Sequence, residues 1–199
     1  MQLVHTPLLG SRINLEPYSD SNKAEVQRAL DCDPEAWNLY SICGQGEHFE
    51  NWWKKLTDGM HAGTWLPYAM RNTAAGKVNG TTSYLNIKPD RQTVEIGGTF
   101  ISPDYRSSYA NPESKLLMLE HAFNAGARRV EFLTDARNLR SQAAIAKLGA
   151  IREGVLRRDR ITWTGHIRDT VVFAVTDLEW PEVRARLQQR LAAFNSQRN

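Results

Sequence analysis

Apolar positions along this chain recur with two periods, and the period changes twice. Arg12-Ile13-Asn14-Leu15-Glu16 alternates polar and apolar, which predicts a half-buried strand ended by Pro17. Ser19 or Asp20 then caps a helix carrying Ala24, Val26, Ala29 and Leu30. A loop with Pro34, Trp37 and Gly44-Gln45-Gly46 leads to a second helix, Phe49-Glu50-Asn51-Trp52-Trp53-Lys54-Lys55-Leu56. From Trp65 to Ile101 the period is two: strands over 66–71, 77–87 and 93–101 are separated by turns at 72–76 and Lys88-Pro89-Asp90-Arg91, an antiparallel meander.

After Pro103 the helical period returns. Asn111-Pro112-Glu113 supplies a side-chain cap, a proline at the first helical position and an acid in the first turn. Leu116, Leu119, Ala122 and Phe123 form the apolar face, and Gly126 stops the helix. Residues 129–134 read as a buried strand and 141–148 as a short helix ended by Gly149. Residues 157–163 and 167–175 flank Thr164-Gly165-His166 as a hairpin. Residues 180–194 are amphipathic, with Val183, Leu187, Leu191 and Phe194 on one face, and are expected to pack on the chain's own sheet.

The order β-α-α-β-β-β-α-β-α-β-β-α is an α+β class with one mixed sheet covered by helices. It lacks the repeated βαβ units and the GxGxxG of a dinucleotide-binding domain. The chain has 199 residues, 41% hydrophobic and 24% charged, ordinary for a globular protein and too apolar for a disordered one. No window approaches the roughly 18–20 apolar residues of a membrane-spanning helix. The first 17 residues have no basic region before a broken apolar stretch, so no secretory signal is expected. Cys32 and Cys43 form no CxxC, and the five histidines show no metal-binding spacing. A reducing cytoplasm and no metal site are the expectations.

Charge is uneven. Residues 1–126 hold 11 basic and 14 acidic side chains, whereas 127–199 hold 14 and 8, a net +6 with 13 arginines. Arginine forks suit phosphate oxygens, so an anionic ligand near this half, a nucleic acid, or a plain solvated face are the readings left open. Without a lysine–arginine block or an aromatic RNA-binding string, nucleic acid is not the expected partner.

Two segments concentrate chemistry. In Glu95-Ile96-Gly97-Gly98-Thr99-Phe100-Ile101 and the following Ser102–Glu113, a strand leaves the sheet through small polar residues into a helix start, a place suited to phosphate. In Thr134–Gly154, Asn138 and Ser141 stand three apart at a helix start, where either can cap. Together EIGGTFI, PDYRSSYANPESKLLMLEHAFN, RVEFLTDARNLRSQAAIAKLGAIREGVLR and RDTVVFAV resemble the GCN5-related N-acetyltransferase (GNAT) family, and most of all its ribosomal-protein alanine and serine acetyltransferase branch. The resemblance covers about residues 10–177, expected as one acetyltransferase domain, with 178–199 as a C-terminal amphipathic helix packed on or beside it.

That resemblance implies a mostly antiparallel sheet of about seven strands, splayed at its centre, with helices on both faces. Acetyl-CoA is then the co-substrate, held between strands 93–101 and 129–134. The family's pyrophosphate loop, Gln/Arg-x-x-Gly-x-Gly/Ala, falls on Arg106-Ser107-Ser108-Tyr109-Ala110-Asn111. Arg106 matches, whereas Tyr109 and Asn111 replace the small residues. Glycine lets a backbone approach phosphate closely, and a tyrosine offers the same amide but brings a ring that must be placed elsewhere.

Acyl transfer to an amine needs a base, a polarised carbonyl and a proton for the leaving thiolate. The resemblance implies Glu95 as base, directly or through water. Backbone N–H groups around Gly97–Phe100 would polarise the carbonyl. Ser141 would serve as proton donor, where many relatives use a tyrosine that 143–150 lacks, and Asn138 would bond the cofactor's amide arm. Phe100, Ile101 and Lys147 complete the expected cofactor contacts. Glu95 as a plain strand residue facing solvent is the alternative. Trp37, Tyr40, Trp52, Trp53, Tyr68 and Tyr84 could line the acceptor side or simply fill the core. The expected function is acetyl transfer to a primary amine, on a protein N-terminus or a small molecule. A non-catalytic acyl-CoA-binding module is the runner-up, and a homodimer is a family-level expectation.

Overall fold

A computed structural model describes residues 1–196. The chain opens with a two-residue strand β1 (Leu8–Leu9), then β2 (Ile13–Pro17), helix α1 (Asp20–Leu30), a 3-10 turn at Pro34–Leu39 and helix α2 (Phe49–His61). Strands β3 (Leu66–Asn72), β4 (Val78–Lys88) and β5 (Thr93–Ile101) form the meander. Helix α3 (Ala110–Asn124), β6 (Arg129–Asp135), α4 (Leu139–Ala146), the hairpin β7 (Ile151–Ile161) and β8 (Ile167–Thr176), and α5 (Trp180–Ser196) follow. Among the described residues all strands join one sheet in the order β1-β2-β3-β4-β5-β6-β8-β7, and only the β5–β6 pair is parallel.

Two apolar layers hold the helices. On one face Leu15, Met70, Val94, Ile96, Phe132 and Phe173 pack against Met118 and Leu119 of α3, Ile145 of α4, and Val183 and Leu187 of α5. On the other, Ala69 and Phe100 meet Val26 and Leu30 of α1, Trp37, and Phe49, Trp52, Trp53 and Leu56 of α2. Each fully buried large side chain stabilises by about 1.5–3 kcal/mol, so α2 is held by its aromatic stripe and not by capping. Helices α1 and α2 pack on β3, β4 and β5, whereas α3, α4 and α5 pack on β6 and β8 from the other face. Helix α5 packs along α3 and β8, where the Phe123 and Trp180 rings stack at 5.2 Å.

Several boundaries shift from the pattern-based expectation, α4 among them at Leu139–Ala146 against 141–148, and three differences have a physical cause. Strand β7 begins at Ile151, six residues before the expected 157, because it is an edge strand exposed along almost its whole length. Backbone pairing to β8 holds it, and no apolar alternation announces it. Helix α3 is capped at Tyr109 and not at Asn111: Ser108 Oγ already accepts the Ala110 N–H at 3.1 Å, so the helix starts two residues earlier. The eighth strand, β1, is too short to leave a period.

Candidate functional site

The parallel pair β5–β6 is joined only through Thr93–Glu95 and Arg129–Glu131. Beyond Glu95 the strands part. The β4–β5 register slips between Thr81 and Ser83, and Gly98, at φ +58°, absorbs the extra residue. The opening is a cleft of about 660 Å³ walled by Glu95–Thr99 and Ile101 on one side and Phe132–Asp135 on the other. Beyond Glu95 the N–H groups on this edge of β5 have no β6 partner, whereas the Thr99 and Ile101 carbonyls accept from the Tyr40 hydroxyl and from Arg106 Nε.

At one end stands the start of α3. Ser107 takes the left-handed conformation at φ +57°, and Ser108 Oγ closes the turn onto the Tyr105 carbonyl at 2.6 Å. Tyr109 itself lies at φ −65°, a conformation any residue adopts, so no glycine is required there. Its ring leaves the cleft altogether: the hydroxyl accepts from Asn72 Nδ2 at 2.6 Å, and the Arg12 guanidinium stacks over the ring at 4.7 Å. Arg106, Ser107, Ser108 and Asn111 line the cleft. Arg106 is also anchored, its Nε to the Ile101 carbonyl at 2.9 Å and its Nη2 to Asp33 at 2.6 Å. Phe100 and Ala110 are buried and do not line the cleft; the Phe100 ring stacks on Trp37 at 5.2 Å. Glu113 turns away and ties down the N-terminal segment, accepting from Ser11 Oγ at 3.0 Å and the Arg12 N–H at 2.9 Å.

Where the strands part, Glu95 is 5% exposed and accepts from Asn86 Nδ2 at 2.6 Å. Burial pushes its carboxyl above the ordinary carboxylate range, with the Asn86 hydrogen bond opposing. Asn86 reaches it from a bulge in β4, at φ +48°, a region asparagine tolerates. Gly97 makes room for this carboxylate: a Cβ there would stand 2.8 Å from Glu95 Oε1 and 2.8 Å from Leu85 Cδ1. Across the cleft Asn138 caps α4, its Oδ1 accepting the Ser141 N–H at 3.0 Å, and Asn138, Ser141 and Lys147 all line the opening.

A buried wall residue also escaped the sequence reading. Lys115, 4% exposed, donates Nζ hydrogen bonds to Thr82 Oγ1 at 2.8 Å and Thr99 Oγ1 at 2.7 Å, bracing the bulge from beneath. Burial pushes its ammonium down to about 7. Its spacing of three, four and seven from Met118, Leu119 and Ala122, all buried on the inner face of α3, was the available signal.

Of the six aromatics, Trp37, Tyr40 and Trp52 line the cleft, joined by Trp65. The Tyr40 hydroxyl donates to the Thr99 carbonyl at 2.7 Å. Trp53, Tyr68 and Tyr84 belong to the core. Arg160 and Arg168, two members of the C-terminal arginine excess, also open onto the cleft. Among the described residues no three His, Cys, Asp or Glu side chains are grouped to hold a metal ion, and no helix is long and apolar enough to cross a membrane.

A sheet divided after a buried glutamate, with helix starts on both sides of the gap, defines an acetyltransferase of the GNAT type. The chain belongs to that family: the model of the acetyltransferase (GNAT) domain matches residues 12–151. The protein is thus an acetyl-CoA-dependent acetyltransferase. Among solved structures, one assigned as an acetyltransferase from T. thermophilus is similar at 34% identity and TM-score 0.85, over 96% of this chain and 100% of that one. A GCN5-related N-acetyltransferase from Brucella melitensis is similar at 26% identity and TM-score 0.87, over 94% and 86% of the two chains. RimJ of Mycobacterium smegmatis, solved in complex with CoA-disulfide, shares the fold at 21% identity and TM-score 0.77, over 89% and 88%. No curated protein matches the sequence.

Proposed function

We propose that the enzyme transfers acetyl from acetyl-CoA to the nitrogen of a primary amine by direct attack, with both substrates bound together. The observation that carries this reading is the parting of β5 and β6 after Glu95, which leaves a buried carboxylate beside a strand edge without a β6 partner in one cleft. Glu95 takes a proton from the attacking amine, directly or through a water, and its raised pKa makes it a stronger base than an ordinary carboxylate. N–H groups of the Gly97–Phe100 segment polarise the thioester carbonyl as the C–N bond forms. Ser141 hands a proton to the departing sulfur as the C–S bond breaks. Lys115, held on Thr99, is a positioning residue for the bulge.

Arg106, Ser107, Ser108, Asn111, Asn138 and Lys147, which line the cleft, hold the co-substrate, and Ile101 borders its path. The left-handed turn at Ser107 and the ring of Tyr109 turned away support this assignment. Cys32 and Cys43 are free thiols, which supports a reducing, cytoplasmic setting. The test pairs calorimetry with CoA and a primary-amine screen with acetyl-CoA. Binding together with amine-dependent thiol release is the expected result. Binding without turnover of any amine overturns it in favour of an acyl-CoA-binding module.

A further inference from the structure

Arg168 is an unusual side chain for the place it occupies. It is 5% exposed, its one hydrogen bond runs from Nη1 to Ser41 Oγ at 3.1 Å, and its Nε is buried without a partner. The nearby acids are already engaged. Asp135 accepts from Arg137 Nε at 3.0 Å and Nη2 at 2.8 Å. Asp159 accepts from Arg160 Nε at 2.6 Å and Thr170 Oγ1 at 2.8 Å. Among the described residues no carboxylate lies within ion-pair distance of Arg168.

The sheet register adds a second cation. Arg160 stands directly opposite Arg168 across the β7–β8 pair, a placement that repels. It arises because Arg158, at φ +52°, absorbs part of a register slip between Leu156 and Arg160. Both arginines line the cleft. Alternation along β5, β6 and β8 puts Arg168 on the same sheet face as Glu95, opposite the face on which Val94, Phe132 and Val171 pack with α3 and α4. Glu95, Arg160 and Arg168 all line the same cleft. Ser41 fixes the Arg168 fork, and Trp163 Nε1 ties the hairpin to the Trp37 carbonyl at 2.8 Å.

A buried, oriented guanidinium with a free Nε edge, facing a second arginine, fits the two oxygens of a carboxylate or a phosphate. We infer that the acceptor is an amine that also carries an oxyanion, carboxylate or phosphate, bound by Arg168 and Arg160 while its nitrogen reaches Glu95. This rests on the acetyl-transfer reading of the same cleft.

The test uses amines matched for basicity with and without the anion: L-phenylalanine against phenethylamine, 4-aminobutyrate against propylamine, and O-phosphoethanolamine against ethanolamine. In parallel, calorimetry compares N-acetyl-L-phenylalanine with its amide. A preference in kcat/KM of about 50-fold for the anionic member of at least one pair is expected, falling to about threefold in Arg168→Gln. Whether a carboxylate or the phosphate carries the preference identifies the source of the oxyanion. Arg168→Lys keeps the charge without the fork and should recover less than half of the preference. Arg160→Gln, at a more exposed position, covers the case in which Arg168 variants do not fold, and should reduce the preference about fivefold. Equal rates across every pair, or a preference untouched by Arg160→Gln and the Arg168 variants, overturn the anion site and leave acetyl transfer standing. Arginine-dependent binding of the acid over the amide, without turnover of any amine, overturns the acceptor assignment along with the transfer reading.

Discussion

The two ends of the cleft are built from different materials. The end at α3 is made mainly of backbone: a left-handed turn at Ser107, a helix start and an unpaired strand edge. The other end is made of charged side chains, Glu95, Arg160 and Arg168, whose state depends on burial and on one another. A backbone-built half tolerates side-chain replacement, because an amide is the same in tyrosine and glycine. A side-chain-built half does not, because removing one group leaves its neighbours unbalanced.

The largest effect should come from Glu95→Gln, which keeps the shape and an acceptor for Asn86 but removes the base. We expect kcat to fall by about 100-fold, within the range for losing a general base. Glu95 must be deprotonated to act, so kcat/KM in the wild type should climb with pH through an inflection above the ordinary carboxylate range, and the variant should lose that limb. Stability has the opposite sign. The folded chain holds this proton to higher pH than the unfolded chain, so wild-type stability falls as pH rises through that pKa. The glutamine variant should not show the fall. A variant with wild-type rates and an unchanged pH profile would remove Glu95 from the reaction.

The same contrast explains what the amino-acid order disclosed. Strand 93–101 and the helix after Pro103 were legible because apolar periods and a small-residue turn announce them, whereas the parting of two strands followed from the resemblance to the family. Tyr109 drew attention as a departure from the family's loop, yet the strained position is Ser107, and φ values leave no mark in composition. Arg160 and Arg168 were hidden in a general arginine excess. Only a bulge at Arg158 brings them opposite each other, and an exposed edge strand carries no period from which register could be read. Lys115 was hidden because a lysine in a helix is ordinarily solvated, and its apolar-face spacing was outweighed by that expectation.

Lys115→Met tests the wall beneath the bulge. Between about pH 7, where the buried ammonium titrates, and the ordinary lysine range, the unfolded chain binds a proton that the folded chain does not. Wild-type stability should therefore rise with pH across that window, by at most about 1.4 kcal/mol per pH unit. In Lys115→Met this contribution disappears, and urea melts at pH 7.5 and 9.5 measure the difference in slope. Loss of the bonds to Thr82 and Thr99 should also lower kcat. Parallel pH slopes in the two proteins would show that the lysine is not the titrating group.

Ser141→Ala should be milder, about a tenfold loss of kcat with KM for acetyl-CoA nearly unchanged, because a serine only protonates a leaving thiolate that water can also reach. Its amide, which binds Asn138, survives the change, so α4 keeps its cap. An acyl donor with a more acidic thiol should shrink the loss. An equal loss with both donors would mean that the hydroxyl binds and does not deliver a proton.

The smallest effect on the reaction, and the sharpest on the comparison, belongs to Tyr109→Gly. The variant restores the small residue of the family's loop while deleting a ring that lies outside the cleft, bonded to Asn72 and stacked under Arg12. If the α3 end is built of backbone, CoA affinity should change by less than about threefold, since the amide at 109 stays and its φ of −65° suits a residue with a side chain. Stability should fall by about 1–2 kcal/mol, from the lost hydrogen bond, the lost cation–ring contact and the added freedom of glycine in the unfolded chain. Calorimetry and a thermal melt read the two quantities separately. A gain of tenfold or more in CoA affinity would mean that the tyrosine obstructs the phosphates after all, and the division between a tolerant and an intolerant end would fail at the position chosen to display it.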